Sequence, residues 1–498
     1  MKGALAVFVV GSLAACGTTV PVSSRVAGTD SPGTTPVLGA PQAPGSADPE
    51  LADDSQAPAA GGVTPGSVSV GPRTRLPARG TGGGVTARTA TWPGMTATTI
   101  SIGYLYVDTA AVNAAVGATG AEGSAAGDIK AEHEAVAKWI NAHGGIAGRR
   151  IRLVAYEADI NDSTTQIAQQ ACAAWTEDDK VYAAVGATGG TNAGPLVACL
   201  ARHKTLAVGS SYNVGDEDVF RRYRPYYYAP SALEMVSAGA AYADGLGKQG
   251  FFSKAAKVGI LTYDDPEYRH AMDRGVLPTM RRYGVTSPEV AWIASPRALS
   301  DQGSLVAAIQ NATLKFRSSG VSHVMFLDGN SSITFFFMKQ AQSQEYKPRY
   351  GFSTLSYPSF VQANFGADVL SGSVGVGWMP TMDVALPQLP ANPARTLCEK
   401  IQNAAGNRPV AETDLTVQLS ICAELFLIKH AVEHAAGAAP SDFLAGVARL
   451  GTTVDTAAGG LVDSWTPAKP WGGSQVRYLR YGGACSCFSY HGPALAAS

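Results

Sequence analysis

From residue 99 onward the sequence alternates between short apolar runs and longer segments whose apolar residues fall three and four apart. Few chain architectures accommodate that pattern. The short runs read as strands buried on both faces, and the longer segments as helices with one apolar stripe. A strand, a helix and a second strand of the same sheet place the two strands parallel, with the helix on one face. Strands are predicted over 99–107, 151–156, 181–186 and 206–210, with helices over 130–141 and 163–175. Ala131, Ala135, Val136, Trp139 and Ile140 form the stripe of the first helix, and Ser163 or Thr164 is the expected cap of the second. After a break at Arg224-Pro225 the alternation resumes. Helices are predicted over 234–245, 267–283, 304–317 and 333–341, and strands over 256–263, 290–293, 323–328 and 349–353. Residues 393–450 read as three helices, and 476–480 as a closing strand entered through Gly473-Ser474-Gln475. A chain of 498 residues is too long for one core. The fold class that follows is α/β, with two doubly wound, Rossmann-like lobes.

The chain ahead of that pattern is different in kind. Residues 17 to about 95 are rich in Pro, Gly, Ser, Thr and Ala and nearly free of aromatics. Such a composition buries too little apolar surface to offset the entropy of ordering, so 16–96 is expected to be a disordered linker. About 80 flexible residues reach roughly 50 Å. Met1 to Cys16 reads MKGALAVFVVGSLAAC: one positive charge, a short apolar run, small residues and a cysteine, in that order. The run is too short to span a bilayer and has the length of a signal-peptide apolar region. Leu13-Ala14-Ala15-Cys16 resembles the bacterial lipobox, which implies a signal peptide over 1–15 and a lipid on Cys16. No later stretch reads as apolar enough to cross a membrane.

Seven cysteines then divide into one lipid site and six others, an even number suited to an oxidising compartment. Cys172–Cys199 and Cys398–Cys422 are the favoured bridges, each stapling a predicted helix to a neighbouring element. Cys485 and Cys487 are left. A bridge between residues so close would be strained, and no second cysteine or histidine pair stands nearby to complete a metal site. The net charge of −1 offers no basic surface for a phosphate backbone, so nucleic acid is not an expected partner.

Asn141 to Val154 reads NAHGGIAGRRIRLV. This resembles the N-x-x-GGI-x-G stretch of type I periplasmic binding proteins, the branched-chain amino acid receptor class. Asp159, Val181 to Gly186 with the following Ala187-Thr-Gly-Gly-Thr191, and Lys257 to Asp264 with Tyr268 continue the match, which extends over about 97–490. The resemblance implies a two-lobed, monomeric clamp crossed three times by the chain, near 226, 379 and 457. Lobe 1 would comprise 97–226 plus 380–456, and lobe 2 would comprise 227–379 plus 457–498. It further implies a small-molecule solute held in the cleft, hinge closure around it, an ABC-type permease in the membrane as partner, no cofactor and no enzymatic activity. A solute-sensing lipoprotein that signals to a membrane receptor is the alternative role.

Open α/β sheets bind ligands beyond the carboxyl ends of their strands. That rule selects the candidate contacts. In the first half they are Thr188, Gly189, Gly190 and Thr191 after one strand and Ser210, Ser211 and Tyr212 after another. In the second half they are Tyr263, Asp265 and Tyr268, then Asp328 and Asn330. Glycines admit a ligand to backbone N–H groups, and hydroxyls bond carboxylates or amides; the same residue types also build ordinary turns and caps. In the resemblance, Tyr268 falls where a ring meets the ligand. Two departures stand out. Gly189-Gly190-Thr191 replaces a serine run, and Ser353-Thr354-Leu355-Ser356-Tyr357 lacks the carboxylate that holds a substrate ammonium. A buried ammonium without a counter-charge is costly.

Other constellations are weaker. His430 and His434 lack the Glu of H-E-x-x-H, Asp159, Asn161 and Asp162 lack an EF-hand frame, and neither G-x-S-x-G nor G-x-x-x-x-G-K-[ST] occurs. Tyr223 to Tyr228 (YRPYYY) reads as core and hinge packing.

Overall fold

The structure is a computed structural model. It describes residues 90–117, 125–186, 194–210, 215–329, 331–451, 456–458, 461 and 463–497. Cys16, Thr188, Gly189, Gly190, Thr191, Ser211, Tyr212 and Asn330 lie outside the described residues.

Twelve strands form two sheets among the described residues. The first contains β1 (Thr99–Val107), β2 (Arg150–Ala158), β3 (Ala183–Val185), β4 (Leu206–Val208) and β5 (Tyr227–Tyr228), in the order β2-β1-β3-β4-β5 and parallel throughout. The second contains β6 (Val258–Tyr263), β7 (Glu289–Ile293), β8 (His323–Leu327), β9 (Arg349–Ser353) and β10 (Val374–Gly377), joined in parallel. Two antiparallel strands, β11 (Gln475–Gly482) and β12 (Cys487–Ala496), extend it from β10.

Side chains alternate across the first sheet as a doubly covered sheet requires. Ala183, Val185, Leu206 and Val208 join one core with the helices Ile129–Ala142 and Glu412–His434. Ala184 and Ala207 join another, around Cys172 and Trp175 on the opposite face. Trp175 lies so close to β1 that a Cβ on Gly103 would come within 2.9 Å of its ring. The helix after β2 begins at Thr164; Ser163 Oγ accepts from the Gln166 N–H, and the Gln166 side chain accepts in turn from the Ser163 N–H. Tyr227 and Tyr228, from the aromatic run, are buried in the first sheet's two cores, with Tyr227 stacked on Phe220 at 4.6 Å.

Three of the elements that depart from the sequence reading are explained by their tertiary surroundings. β10 reads VGVG, and glycine weakens any strand prediction. It is nonetheless required to be small, because a Cβ on Gly375 would lie 2.7 Å from the Phe352 carbonyl oxygen. β12 contains Gly492 and Pro493, and proline is tolerated only because β12 is the sheet edge. The helix Glu412–His434 is, contrary to expectation, long and apolar enough to cross a membrane; 83% of its most apolar stretch is buried inside the protein. Its apolarity comes from lying between two cores. Leu419, Cys422 and Leu425 pack with the first sheet, and Ala423 packs with the second.

Disulfides join Cys172 to Cys199 and Cys398 to Cys422, each linking two helices. The C-x-C pair, which spacing argued against, is also closed, at the β11–β12 turn. Ser486 between the two cysteines takes a left-handed φ of 51°, which brings the flanking Cα atoms to 5.1 Å.

Candidate functional site

Each parallel sheet ends its strands along one edge, and those edges face each other. Thr164 opens the helix after β2, and its N–H donates to the Arg297 carbonyl after β7 at 2.8 Å. Asp216, after β4, caps the helix Glu217–Arg222 and contacts the ring of His270, after β6. Arg274 donates to Asp218 at 2.6 Å. Tyr357, after β9, donates its hydroxyl to Thr416 of the long helix at 3.0 Å. These contacts hold the two sides together across the strand ends. Asp216, Asp218 and His270 place possible metal-ligand atoms within 4.8 Å of one another. Arg274 and Arg221 already neutralise Asp218, so the group reads as a charge network joining the two sides.

The second-sheet candidates come together. Tyr263 and Tyr268 are fully buried with their rings edge to face at 5.4 Å. Burial, reinforced by Asp328 and Asp265, holds both phenols well above their ordinary pKa. The Tyr268 hydroxyl has no partner among the described residues. The two carboxylates are differently placed. Asp265 accepts from Ser295 and from Arg297, the latter at 2.5 Å. Asp328 accepts the N–H groups of Gly329 at 2.6 Å and Thr334 at 3.0 Å, and so helps to anchor the start of the helix Ser332–Ser343. Their oxygens are bonded to the protein itself. Ser210 stands at the end of β4 in the first sheet, with its buried hydroxyl unpartnered.

At Ser353 to Tyr357, where the sequence has no carboxylate, the fold brings one from elsewhere. Asp383 accepts from Thr354 Oγ1 at 2.7 Å, from the Met379 N–H at 2.9 Å and from the Tyr490 hydroxyl at 2.6 Å. Burial raises its pKa to about 7, against the pull of these donors.

The residues that sequence reasoning missed lie on the long helix. Thr416, Ser420 and Glu424 repeat every four residues and therefore share one helix face. Ser420 is 4% exposed and Glu424 1% exposed, and Ser420 Oγ and Glu424 Oε2 have no hydrogen-bond partner. Glu424 Oε2 lies 3.6 Å from where a Cβ on Gly186 would sit, just past the end of β3. Burial drives the Glu424 carboxyl well above the usual range, opposed weakly by the Gly186 N–H. A polar stripe on an otherwise apolar helix was the available signal. Ser331, Ser353 and Ser356 add further unpartnered buried oxygens in the segments that follow the strand ends, although others, such as those of Gln249, Ser373 and Tyr481, lie elsewhere.

A sequence profile described as "Periplasmic binding protein" matches residues 99–470. No curated protein matches the sequence. Several solved structures share the fold. A branched-chain amino acid ABC transporter protein from Thermus thermophilus with bound valine superimposes with a TM-score of 0.57 at 14% identity, over 80% of this chain and 96% of its own. A solute binding protein of an ABC transporter from Rhodopseudomonas palustris BisB5, in complex with 3,4-dihydroxybenzoic acid, gives 0.54 at 14% identity, over 80% and 98%. A substrate-binding protein from Desulfitobacterium hafniense in complex with Leu gives 0.54 at 14% identity, over 79% and 100%.

Proposed function

The chain belongs to the periplasmic binding protein family, and from that premise we propose that it captures a small polar solute between its two lobes and delivers it to an ABC-type permease. The observation that carries this reading is the collection of buried, unpartnered oxygens at facing strand ends: Ser210, Tyr268, Ser353, Ser356, Ser420 and Glu424. An unsatisfied buried polar group costs about 1–3 kcal/mol. A bound solute that bonds several of them removes that cost, which favours closure around it. Thr188, Gly189, Gly190, Thr191, Ser211, Tyr212 and Asn330 follow the same strand ends in sequence and complete the proposed contact set. Lobe 1 is the first sheet with its helices, lobe 2 the second; the crossings fall later than the expected 226 and 457, because Tyr227 and Tyr228 form β5 of the first sheet and Trp465 and Trp471 pack with its cores. The neighbours' solutes, valine, leucine and 3,4-dihydroxybenzoic acid, all carry a carboxylate; an amino acid, an amide or a related small acid is the solute class.

The lipobox-like Leu13-Ala14-Ala15-Cys16 supports a lipid on Cys16, with the tether of a monomeric head ending before the expected residue 96, because Ala90, Trp92 and Met95 already pack with the first sheet's core. This places the protein outside the cytoplasm on the cell membrane. Cys16→Ala then moves it from the membrane fraction to the soluble fraction.

Thermal denaturation tests solute capture. A solute at a hundred times its Kd stabilises the native state by about 2.7 kcal/mol. A screen of amino acids, amides, polyamines and aromatic acids should yield at least one class that raises the midpoint. A flat response to every class removes the receptor reading.

A further inference from the structure

Glu424 stands out among the buried groups because nothing in the fold explains its presence. It sits on the helix Glu412–His434 at the third position of the Thr416, Ser420, Glu424 stripe. That face is turned toward the junction between the sheets. Thr416 takes its hydrogen bond from Tyr357 of the second side, and Ala423 packs into the second sheet's core. On the first side the carboxyl abuts Gly186 at the end of β3. Glu424 therefore lies where the two sides meet, next to a strand end.

Its surroundings lack a counter-charge. Burial and the Gly186 N–H are the two influences on its ionisation, and no charged side chain among the described residues acts on it. One oxygen, Oε2, has no partner, and neither does the Ser420 hydroxyl one turn earlier. A carboxyl that served packing alone would be replaced by leucine or glutamine without loss. A carboxyl that served the fold through hydrogen bonds would have its oxygens engaged, as Asp383 does.

We propose that Glu424 is the counter-charge for an ammonium group on the solute, with Ser420 as a second oxygen for the same group. This rests on the solute-capture reading and names the solute class: a small molecule bearing a primary amine. It also supplies a carboxyl that Asp383, the one brought to Ser353 to Tyr357, does not offer, since Thr354, Met379 and Tyr490 engage it. In the free protein burial raises the pKa of the carboxyl, which favours its protonated form. On binding, R–NH3+ and the Glu424 carboxylic acid become an ammonium–carboxylate pair, and one proton leaves to solvent. No other bond forms or breaks. Affinity for the amine accordingly rises with pH, up to tenfold per unit, while Glu424 is still protonated in the free protein.

The test uses probe pairs that differ only in the amine: leucine against 4-methylpentanoate, and phenylalanine against 3-phenylpropionate, with putrescine as an amine lacking a carboxylate. Titration calorimetry in two buffers of different ionisation enthalpy reads the proton count. The expected result is that an amine-bearing probe binds with one proton released, its deaminated partner binds at least roughly a hundredfold more weakly, and Glu424→Gln abolishes both the preference and the proton release. Thermal denaturation of the unliganded Glu424→Gln protein verifies that it folds. If deaminated acids bind as well as their amines, and equally to wild type and Glu424→Gln, the anchor is wrong while solute capture stands. If these probes and the broader solute screen are all silent, solute capture fails and the anchor with it.

Discussion

Asp383 and Glu424 are both fully buried carboxyls, and the fold treats them in opposite ways. Asp383 accepts hydrogen bonds from Thr354, Met379 and Tyr490, drawn from three separate stretches of chain. Glu424 has an orphan oxygen and one weak neighbour, the Gly186 N–H. Burial raises the pKa of each. The difference lies in satisfaction. Asp383 ties the loop after β9, the turn after β10 and the edge strand β12 into one network, so its role is structural. Glu424 meets only the Gly186 N–H and leaves Oε2 without a partner, which is the opening the proposed ammonium would fill.

The sharpest way to break this contrast is to truncate both residues. Asp383→Ala strands three buried donors and should lower the free energy of unfolding by about 5 kcal/mol in urea titrations. Glu424→Ala should cost far less; equal losses would show that Glu424 also holds the fold together.

Acidity gives the next largest effect. The folded pKa of Asp383 is raised to about 7, above its ordinary value. Its neutral form is therefore favoured by folding. That contribution is complete below about pH 4 and disappears as pH rises through 7, a span worth on the order of 4 kcal/mol. Comparing the pH dependence of unfolding of wild type and Asp383→Asn isolates it, and identical profiles would contradict the assignment.

The C-x-C bridge probes the same network from its edge, because β12 carries both Cys487 and Tyr490. It closes a ring of three residues, so the double variant Cys485→Ser, Cys487→Ser should lose no more than about 1.5 kcal/mol. Cys485 is exposed whereas Cys172, Cys398 and Cys422 are buried, so mild reductant followed by alkylation and mass spectrometry should label the C-x-C pair first. A larger loss would mean that the turn positions Tyr490 on Asp383.

The smallest effect is expected at Glu424. Glu424→Gln should leave the unliganded protein within about 1 kcal/mol of wild type, because a near-isosteric neutral group replaces a carboxyl whose charged form burial disfavours. Calorimetric unfolding without solute checks this.

How much of this was legible in the sequence depends on the range of each interaction. The alternation of buried runs and striped helices carried the parallel parts of both sheets, because strand and helix periods are local properties. β10 escaped because its glycines follow from contact with Phe352 and Asp383, which lie apart from it in sequence. β12 escaped because its proline is acceptable only at an edge, and the edge is known only once the sheet is assembled. Among the candidate residues, Tyr263 and Tyr268 were picked by their place after a strand, and the structure buries them together. Asp265 and Asp328 were found by the same rule, but their oxygens are engaged by Arg297 and by the start of a helix. Thr416, Ser420 and Glu424 were written plainly at four-residue spacing, yet a stripe of polar residues does not say what faces it.

The sequence by itself determined the family frame and the α/β architecture, since both follow from pattern along the chain. Only the tertiary structure decided which buried carboxyl is satisfied and which is left waiting. Satisfaction depends on donors brought from other parts of the chain, and one aspartate met three, 4, 29 and 107 residues away, while one glutamate met almost none.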